Sequence, residues 1–379
     1  MVFPWSPILL SKMRDHRPRR STHSSLQDSM RRRARKAGAH KVGKMDRFVV
    51  GTGRCGSTLL SRMLATNPQV LSVFEFFNGL DVGVRFSADP MDGNDFAALI
   101  SREQPFVTAV LRRGYEVAEI TYPFGGRARY ERDDPLPWIL VAVLPRLSED
   151  PDSLFDEVVT FAAGLPRQHL AVHYRRLFDW LTERMGRAVW IERSGSSIEY
   201  LGCLHEFFPR ARFLHLHRDG PESALSMREH HAYRLPISLL YQAPTDDGVP
   251  ASELGAIDLD AAPDPQDAIS RILASRPPAE YFGRYWTDQI VRGFRALGRL
   301  NADQYLEVRF EDLVSRPRDV LRMIGQFFEL DADRGGWIER AAALVRGVPP
   351  TRFELLCRDE RQRLDDACRA GRQLLGRIP

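Results

Sequence analysis

Short apolar runs alternate with stretches of helical period along most of this chain. Phe48-Val49-Val50 reads as a β-run that enters a glycine-rich turn, and Leu59, Leu60, Met63 and Leu64 leave that turn at helical spacing. Three more runs read as buried strands: Ala188 to Glu192, Arg212 to His217, and Gln304 to Arg309. The second of these passes directly into Arg218-Asp219-Gly220-Pro221 and a helix through Ser226, with Asp219 placed to cap it and Pro221 in its first turn. The last leads through Phe310-Glu311-Asp312-Leu313 and Pro317 to the amphipathic run Val320, Leu321, Ile324, Phe327, Phe328. Strands alternating with helices predict an α/β fold, a parallel sheet flanked by helices. In such sheets ligands bind at the carboxyl ends of the strands, which is where the polar motifs fall.

The material between the strands has a different texture. Residues 78–185 form a long insertion with helical patches at Phe96 to Ile100 and Leu154 to Ala163, and a basic, aromatic run from His173 to Trp180. Substrate choice is expected to reside there, since segments built on a rigid scaffold commonly carry specificity. Residues 235–265, rich in Pro, Asp and Ala, read as an irregular stretch and a candidate lid.

Composition adjusts this picture at one end. A hydrophobic content of 43% over 379 residues allows one large domain, expected to span 46–379. Residues 1–45 carry twelve Lys and Arg against two Asp, including all four lysines (Lys12, Lys36, Lys41, Lys44), so the remainder is net acidic. That segment has little apolar periodicity and reads as a disordered basic tail. Three readings of it stay open: a tail touching anionic lipid, an organelle presequence, or sequence upstream of a true start at Met45. The acidic remainder argues against a nucleic-acid partner. No run approaches the ~18 apolar residues of a membrane span. Cys55, Cys203, Cys357 and Cys368 make no C-x-x-C pair, which fits a reduced, cytoplasmic setting. His215, His217, His230 and His231 lack partners at metal-ligand spacing and read as surface or strand-packing residues, so no metal is expected.

The chemistry concentrates in Gly51-Thr52-Gly53-Arg54-Cys55-Gly56-Ser57-Thr58-Leu59. Strand, glycine-rich turn and helix N-terminus make an anion cradle, in which backbone N–H groups converge and the helix dipole adds positive charge. The spacing is that of a nucleotide P-loop, yet Ser57 stands where an ATP or GTP site needs Lys. Two hydroxyls without that Lys suit a shorter, less charged anion and no metal.

In this motif the chain resembles the sulfotransferases that use adenosine 3′-phosphate 5′-phosphosulfate (PAPS). It looks most like the tyrosine-sulfating and bacterial P-loop branch. The resemblance implies that Gly53, Arg54, Cys55, Gly56, Ser57, Thr58 and Leu59 hold the 5′-phosphosulfate. Arg218 and Ser226, eight residues apart after a strand, resemble that family's 3′-phosphate pair. A planar Arg fork beside a hydroxyl supplies the charge-assisted bonds such a phosphate needs. Glu75, 21 residues after Arg54, matches the catalytic Glu of that branch. Its neighbours Phe74, Phe76 and Phe77 are expected to raise its pKa by desolvation. Arg193 stands where that branch has a Lys that stabilises the leaving phosphate.

Two places depart from the pattern. Phe310 replaces the usual Tyr after the last strand, so this segment reads as structural. The cofactor-closing loop near the C-terminus corresponds only loosely to Arg346 to Phe353, which leaves Arg346 and Arg352 unassigned. The implied activity is transfer of a sulfuryl group to a hydroxyl acceptor. The aromatic surroundings of Glu75 favour an apolar or aromatic small molecule or lipid over a polyanionic sugar chain, for which a cationic groove is expected. A P-loop nucleotide kinase and a non-catalytic adenine-nucleotide-binding protein stay open as alternatives.

Overall fold

The computed structural model describes residues 45–331 and 334–376. The basic segment read from residues 1–44 lies outside them. Five parallel strands form one sheet: β1 (Arg47–Val50), β2 (Val70–Phe74), β3 (Val189–Arg193), β4 (Arg212–His217) and β5 (Tyr305–Arg309), in the order β2-β3-β1-β4-β5. Helices cover both faces, as the alternation of strand and helix predicts. They are α1 (Ser57–Ala65), α2 (Gly93–Ile100), α3 (Pro105–Arg112), α4 (Pro151–Ala163), α5 (Leu170–Arg184), α6 (Leu201–Phe207), α7 (Gly220–Arg228), α8 (His231–Tyr241), α9 (Ala268–Ala274), α10 (Ala279–Leu297), α11 (Phe310–Ser315), α12 (Pro317–Phe328), α13 (Trp337–Ala342) and α14 (Arg358–Leu375).

β2 is the strand that the sequence pattern does not announce. It is five residues long, sits at the sheet edge, and carries the half-buried Ser72 at its centre. Its identity as a strand comes from pairing with β3, from Val70 opposite Val189 to Phe74 opposite Arg193. The chain therefore goes from β1 outward to β2 and returns to lay β3 between them. It then crosses to β4 on the far side of β1. Strand order reverses around β1, and a crevice opens at the carboxyl ends there.

The insertion at 78–185 lies between β2 and β3 and is largely helical, with α2 to α5 falling over the predicted patches. Its most apolar run forms a buried π-helical turn, Ile139–Val143. No described helix is long and apolar enough to cross a membrane. The stretch 235–265 is corrected in part. Residues 235–241 belong to α8, where Leu235, Pro236 and Ile237 are buried. Pro236 is accommodated inside that helix, and the irregular segment begins only at Gln242.

Three apolar clusters fill the interior, one on each face of the sheet and one around α7, α10 and α14. Trp286 of α10 anchors the third and is fully buried. Its ring lies so close to Gly220 of α7 and Gly371 of α14 that a Cβ on those glycines would come within 2.8 Å and 2.4 Å of it. The absent side chains are what let three helices meet on one indole, and α7 is the helix that carries Ser226. Trp286→Ala is expected to cost ~3–5 kcal/mol, the usual loss for an emptied aromatic site. Gly371→Ala should cost ~1–3 kcal/mol by overpacking. Urea unfolding followed by circular dichroism checks both values.

Candidate active site

The ends of β1, β2, β3 and β4 each contribute to the lining of a single cavity. After β1 the loop turns through Gly53 (φ 75°), Arg54 (φ 51°) and Gly56 (φ 89°) into the N-terminus of α1. A side chain on Gly53 would strike the Tyr233 hydroxyl, and one on Gly56 would strike the Phe310 ring. Positive φ and close approach together require glycine at both places. Gly56 is the N-cap residue of α1, so no side chain caps the helix, and its first turn holds no acidic residue. The uncapped N–H groups and the dipole face the cavity with unspent positive potential.

After β2 comes Glu75, buried and held at φ 55°. Its N–H donates to the Arg193 carbonyl at 2.7 Å, which extends the β2–β3 pairing by one residue. Among the described residues five non-glycines have positive φ, and Arg54, Glu75 and Ser196 are three of them. Backbone strain of this kind persists only where its surroundings enforce it, and it gathers at functional sites.

Arg193 is the last residue of β3, and its Nη1 donates to Glu75 Oε1. Both side chains are almost fully out of water. Glu75 Oε2 accepts from the Gly195 N–H at 2.9 Å and from Asn78 Nδ2 at 2.6 Å. Burial pushes the Glu75 carboxyl above its ordinary pKa, against the pull of Arg193 and these two donors. The Arg193 guanidinium also lies 3.8 Å from the centre of the Phe74 ring.

From the β4 side, Arg54 Nε donates to Ser226 Oγ at 3.2 Å, joining the loop to a residue 172 positions away. Arg218 lies over the Phe310 ring at 5.0 Å. Burial, and then the neighbouring Arg352, lowers its pKa. Arg352 fastens the loop after α13 to α7: its N–H donates to Glu222 Oε1 at 2.6 Å and its Nη2 to the Glu222 carbonyl at 2.9 Å. Arg346 is exposed.

The cavity, 150 Å³ in volume, is lined by Gly53, Arg54, Gly56, Ser57, Thr58, Glu75, Arg193, Arg218 and Ser226 of the sequence-based set. Cys55 and Leu59 stay outside it. Cys55 is buried with its Sγ under Gly51, and Leu59 packs on the apolar cluster beneath α1. They can serve the loop only through their backbone.

Glu119, Gly195 and Tyr233 complete the lining and were not legible in the sequence. Glu119 sits in a segment of the insertion without motif. His230 Nε2 lies 3.0 Å from Glu119 Oε2, and Arg54 Nη1 lies 3.7 Å from Oε1. Burial works against the charged Glu119, but His230 and Arg54 outweigh it and hold its pKa down to about 2. The surface-or-packing reading of the histidines therefore fails for His230. It holds for His215, bonded to the Tyr305 hydroxyl at 2.7 Å, and for His217, 2.6 Å from Glu307. His231 packs at a tilt against Tyr115.

A second, smaller cavity of 60 Å³ shares Glu75, Glu119 and Tyr233 with the first. Its other walls include Asn78, Gln104, Val107 and Trp138, all from the insertion. Glu75 thus stands between the polar cavity at the glycine loop and a more apolar one.

No protein-family model and no curated protein sequence matches this chain. Solved structures that it resembles include bacterial sulfotransferases. The sulfotransferase domain of the Synechococcus PCC 7002 olefin synthase is 18% identical, with 91% of this chain and 99% of that chain covered and a TM-score of 0.41. STF9 from Mycobacterium avium is 15% identical, with 86% and 76% covered and a TM-score of 0.42. STF1 from Mycobacterium tuberculosis H37Rv is 18% identical over the same shares, with a TM-score of 0.39.

A further carboxyl, Glu192, lies directly behind this site. It is buried, accepts from Ser194 Oγ at 2.5 Å, and is pushed up to about 8 by burial and by Glu75. The fold therefore favours its neutral form. That contribution is complete below the ordinary carboxyl pKa of 4.5 and is lost as pH rises through 8. Glu192→Gln, which stays neutral, should gain stability over the wild type across that window, by at most about 1.4 kcal/mol per pH unit. Urea unfolding of both proteins at acid, neutral and alkaline pH measures the difference.

Proposed function

We propose that this chain transfers a sulfuryl group from PAPS to a hydroxyl of an apolar or aromatic acceptor, with Glu75 as general base. One observation carries the reading: the lysine-free glycine loop and the Arg218–Ser226 pair line the same cavity as the Glu75–Arg193 pair. A donor with phosphates at both its 5′ and 3′ positions needs both anion sites at once. A nucleoside triphosphate has no use for the second, and the loop lacks the Lys that its β- and γ-phosphates need.

On this reading the loop N–H groups, Ser57 and Thr58 hold the 5′-phosphosulfate, and Arg218 with Ser226 holds the 3′-phosphate. The acceptor comes from the smaller cavity, between Val107, Trp138 and Tyr233, and presents its hydroxyl to Glu75. The hydroxyl oxygen attacks sulfur in line while its proton passes to the Glu75 carboxylate. The bond from sulfur to the bridging phosphate oxygen breaks, and the electron pair stays on that oxygen.

The Glu75–Arg193 contact links the two ends of this step. Before reaction the carboxylate neutralises Arg193. As Glu75 takes the proton, the guanidinium charge becomes available to the leaving phosphate, with Arg54 beside it. Arg193 keeps its proton throughout and acts by charge alone.

Adenosine 3′,5′-bisphosphate should bind at least tenfold more tightly than AMP, since a charge-assisted contact contributes ~1.5–3 kcal/mol. Arg218→Ala should abolish the preference. Calorimetry that finds equal affinities, or tighter binding of ATP with Mg²⁺, overturns the reading.

Glu75→Gln should lower turnover ~10²–10⁴-fold, the usual contribution of a general base, while leaving bisphosphate affinity nearly unchanged. The wild-type rate should rise with pH as the Glu75 carboxyl ionises, and this limb should vanish in the variant. In Arg193→Ala the limb should persist but move to higher pH, because the cation that favours the carboxylate is gone. Near-normal turnover in Glu75→Gln would place the base elsewhere, with His230, paired to Glu119, the next residue to replace.

A further inference from the structure

A further cavity among the described residues lies outside the site above. It is a groove of 470 Å³ along the edge strand β2 and the outer face of α1, with Ser61, Arg62, Ser72, Phe74, Arg146 and Arg187 among its lining residues. No Asp or Glu lines it. None of the three arginines has a carboxylate partner among the described residues, and two of them spend their donors on neutral carbonyls. Arg146 Nη2 donates to the Glu119 carbonyl at 3.2 Å and its Nε to the Ala142 carbonyl at 3.3 Å. Arg187 Nη1 donates to the Pro68 carbonyl at 3.1 Å. Arg62 is exposed on α1, one turn beyond Thr58 of the anion-binding loop.

The groove also abuts the reacting groups. Arg146 lies 3.7 Å from the centre of the Phe74 ring, the same ring that carries Arg193 at 3.8 Å. One aromatic side chain therefore separates the inner end of the groove from the Glu75–Arg193 pair. Burial and then Arg193 lower the Arg146 pKa, with Arg62 adding to them, while Glu119 and Glu75 act in the opposite direction from the side of the site. Guanidinium groups gathered in a concave site without carboxylates suit the oxygens of a phosphate or sulfate ester.

We propose that this arginine groove is an anion subsite that holds a phosphate or sulfate ester of the acceptor while its hydroxyl lies at Glu75. The proposal rests on the sulfuryl-transfer reading and narrows its substrate class. The acceptor is then an aromatic or apolar alcohol that also carries an anionic ester, either as a free metabolite or as a lipid with an anionic headgroup.

The test first fills the donor cavity with saturating adenosine 3′,5′-bisphosphate and then titrates inorganic pyrophosphate by calorimetry. One further binding event is expected in the wild type. It should weaken at least tenfold in Arg146→Gln and in the double variant Arg62→Gln/Arg187→Gln, whose two positions are exposed. Arg146→Lys should restore part of the affinity. Sedimentation with phosphatidylglycerol vesicles, against phosphatidylcholine alone, separates the sources. Binding lost in the double variant identifies a headgroup, and pyrophosphate binding without vesicle binding identifies a soluble ester. A kinetic arm compares 2-naphthol with 6-hydroxynaphthalene-2-sulfonate as acceptors. The sulfonate should have a KM at least tenfold lower, and the groove variants should raise that KM alone, leaving kcat and the 2-naphthol KM unchanged.

Absence of a second pyrophosphate event together with absence of vesicle binding overturns the proposal. So does binding that the arginine variants leave intact, or equal KM values for the two acceptors. Anion binding in the groove of a protein that transfers no sulfuryl group to either acceptor would refute the transfer reading and, with it, the acceptor role of the groove, while the anion site itself would stand.

Discussion

The buried contact between Glu75 and Arg193 is the constraint around which this candidate site is organised. Two opposite charges almost removed from water carry a large desolvation cost, and Coulomb attraction offsets it only when geometry is good and the remaining lone pairs are satisfied. The fold satisfies the carboxylate, whereas Arg193 Nε and Nη2 are buried without a hydrogen-bond partner among the described residues. Register between β2 and β3 puts Phe74 opposite Arg193, and the next backbone bond holds Glu75 against the carbonyl of its own partner. Gly195 and Asn78 occupy the second carboxylate oxygen, and Phe74 offers its face to the guanidinium. The left-handed backbone at Glu75 is part of the cost of this arrangement.

The rest of the sheet arranges itself around that pair. The glycine loop and Ser226 meet through Arg54, while Phe310 forms a wall that leaves room only for a glycine at position 56. Trp286 holds α7 in place from behind, so the Arg218–Ser226 helix is set by an apolar cluster well away from any phosphate. The insertion supplies Glu119 and the apolar walls of the smaller cavity. On the proposed reading scaffold and specificity are divided: strand ends fix the anion sites, and the segment between β2 and β3 shapes what approaches them.

Charge is unevenly compensated across this surface. Near the loop, Glu119 is balanced by His230 and Arg54, and Glu75 by Arg193. Beyond Phe74 the balance ends, and Arg62, Arg146 and Arg187 face a groove without acids. The sequence expectation of an apolar acceptor rested on the phenylalanines around Glu75 and took a cationic groove as the mark of a different substrate. Both features are present, separated by one ring.

Sequence alone determined the alternation of strands and helices, the glycine loop without Lys, the Arg218–Ser226 spacing and the candidate Glu75 and Arg193. These are local features: a period, a turn that only glycine tolerates, a fixed offset after a strand. Tertiary structure decided what local pattern cannot carry. β2 is a short apolar run with Ser72 at its centre, and pairing with β3 is what fixes it as the edge strand. Residues 235–241 are helical despite Pro236 because their apolar side chains have a core to enter. Glu119, His230 and Tyr233 join the site through the folding back of segments that hold no motif. The three groove arginines lie far apart in sequence and become one surface only when α1, β2 and the insertion pack together. Long-range packing sets which charges are paired, and spacing along the chain does not encode it.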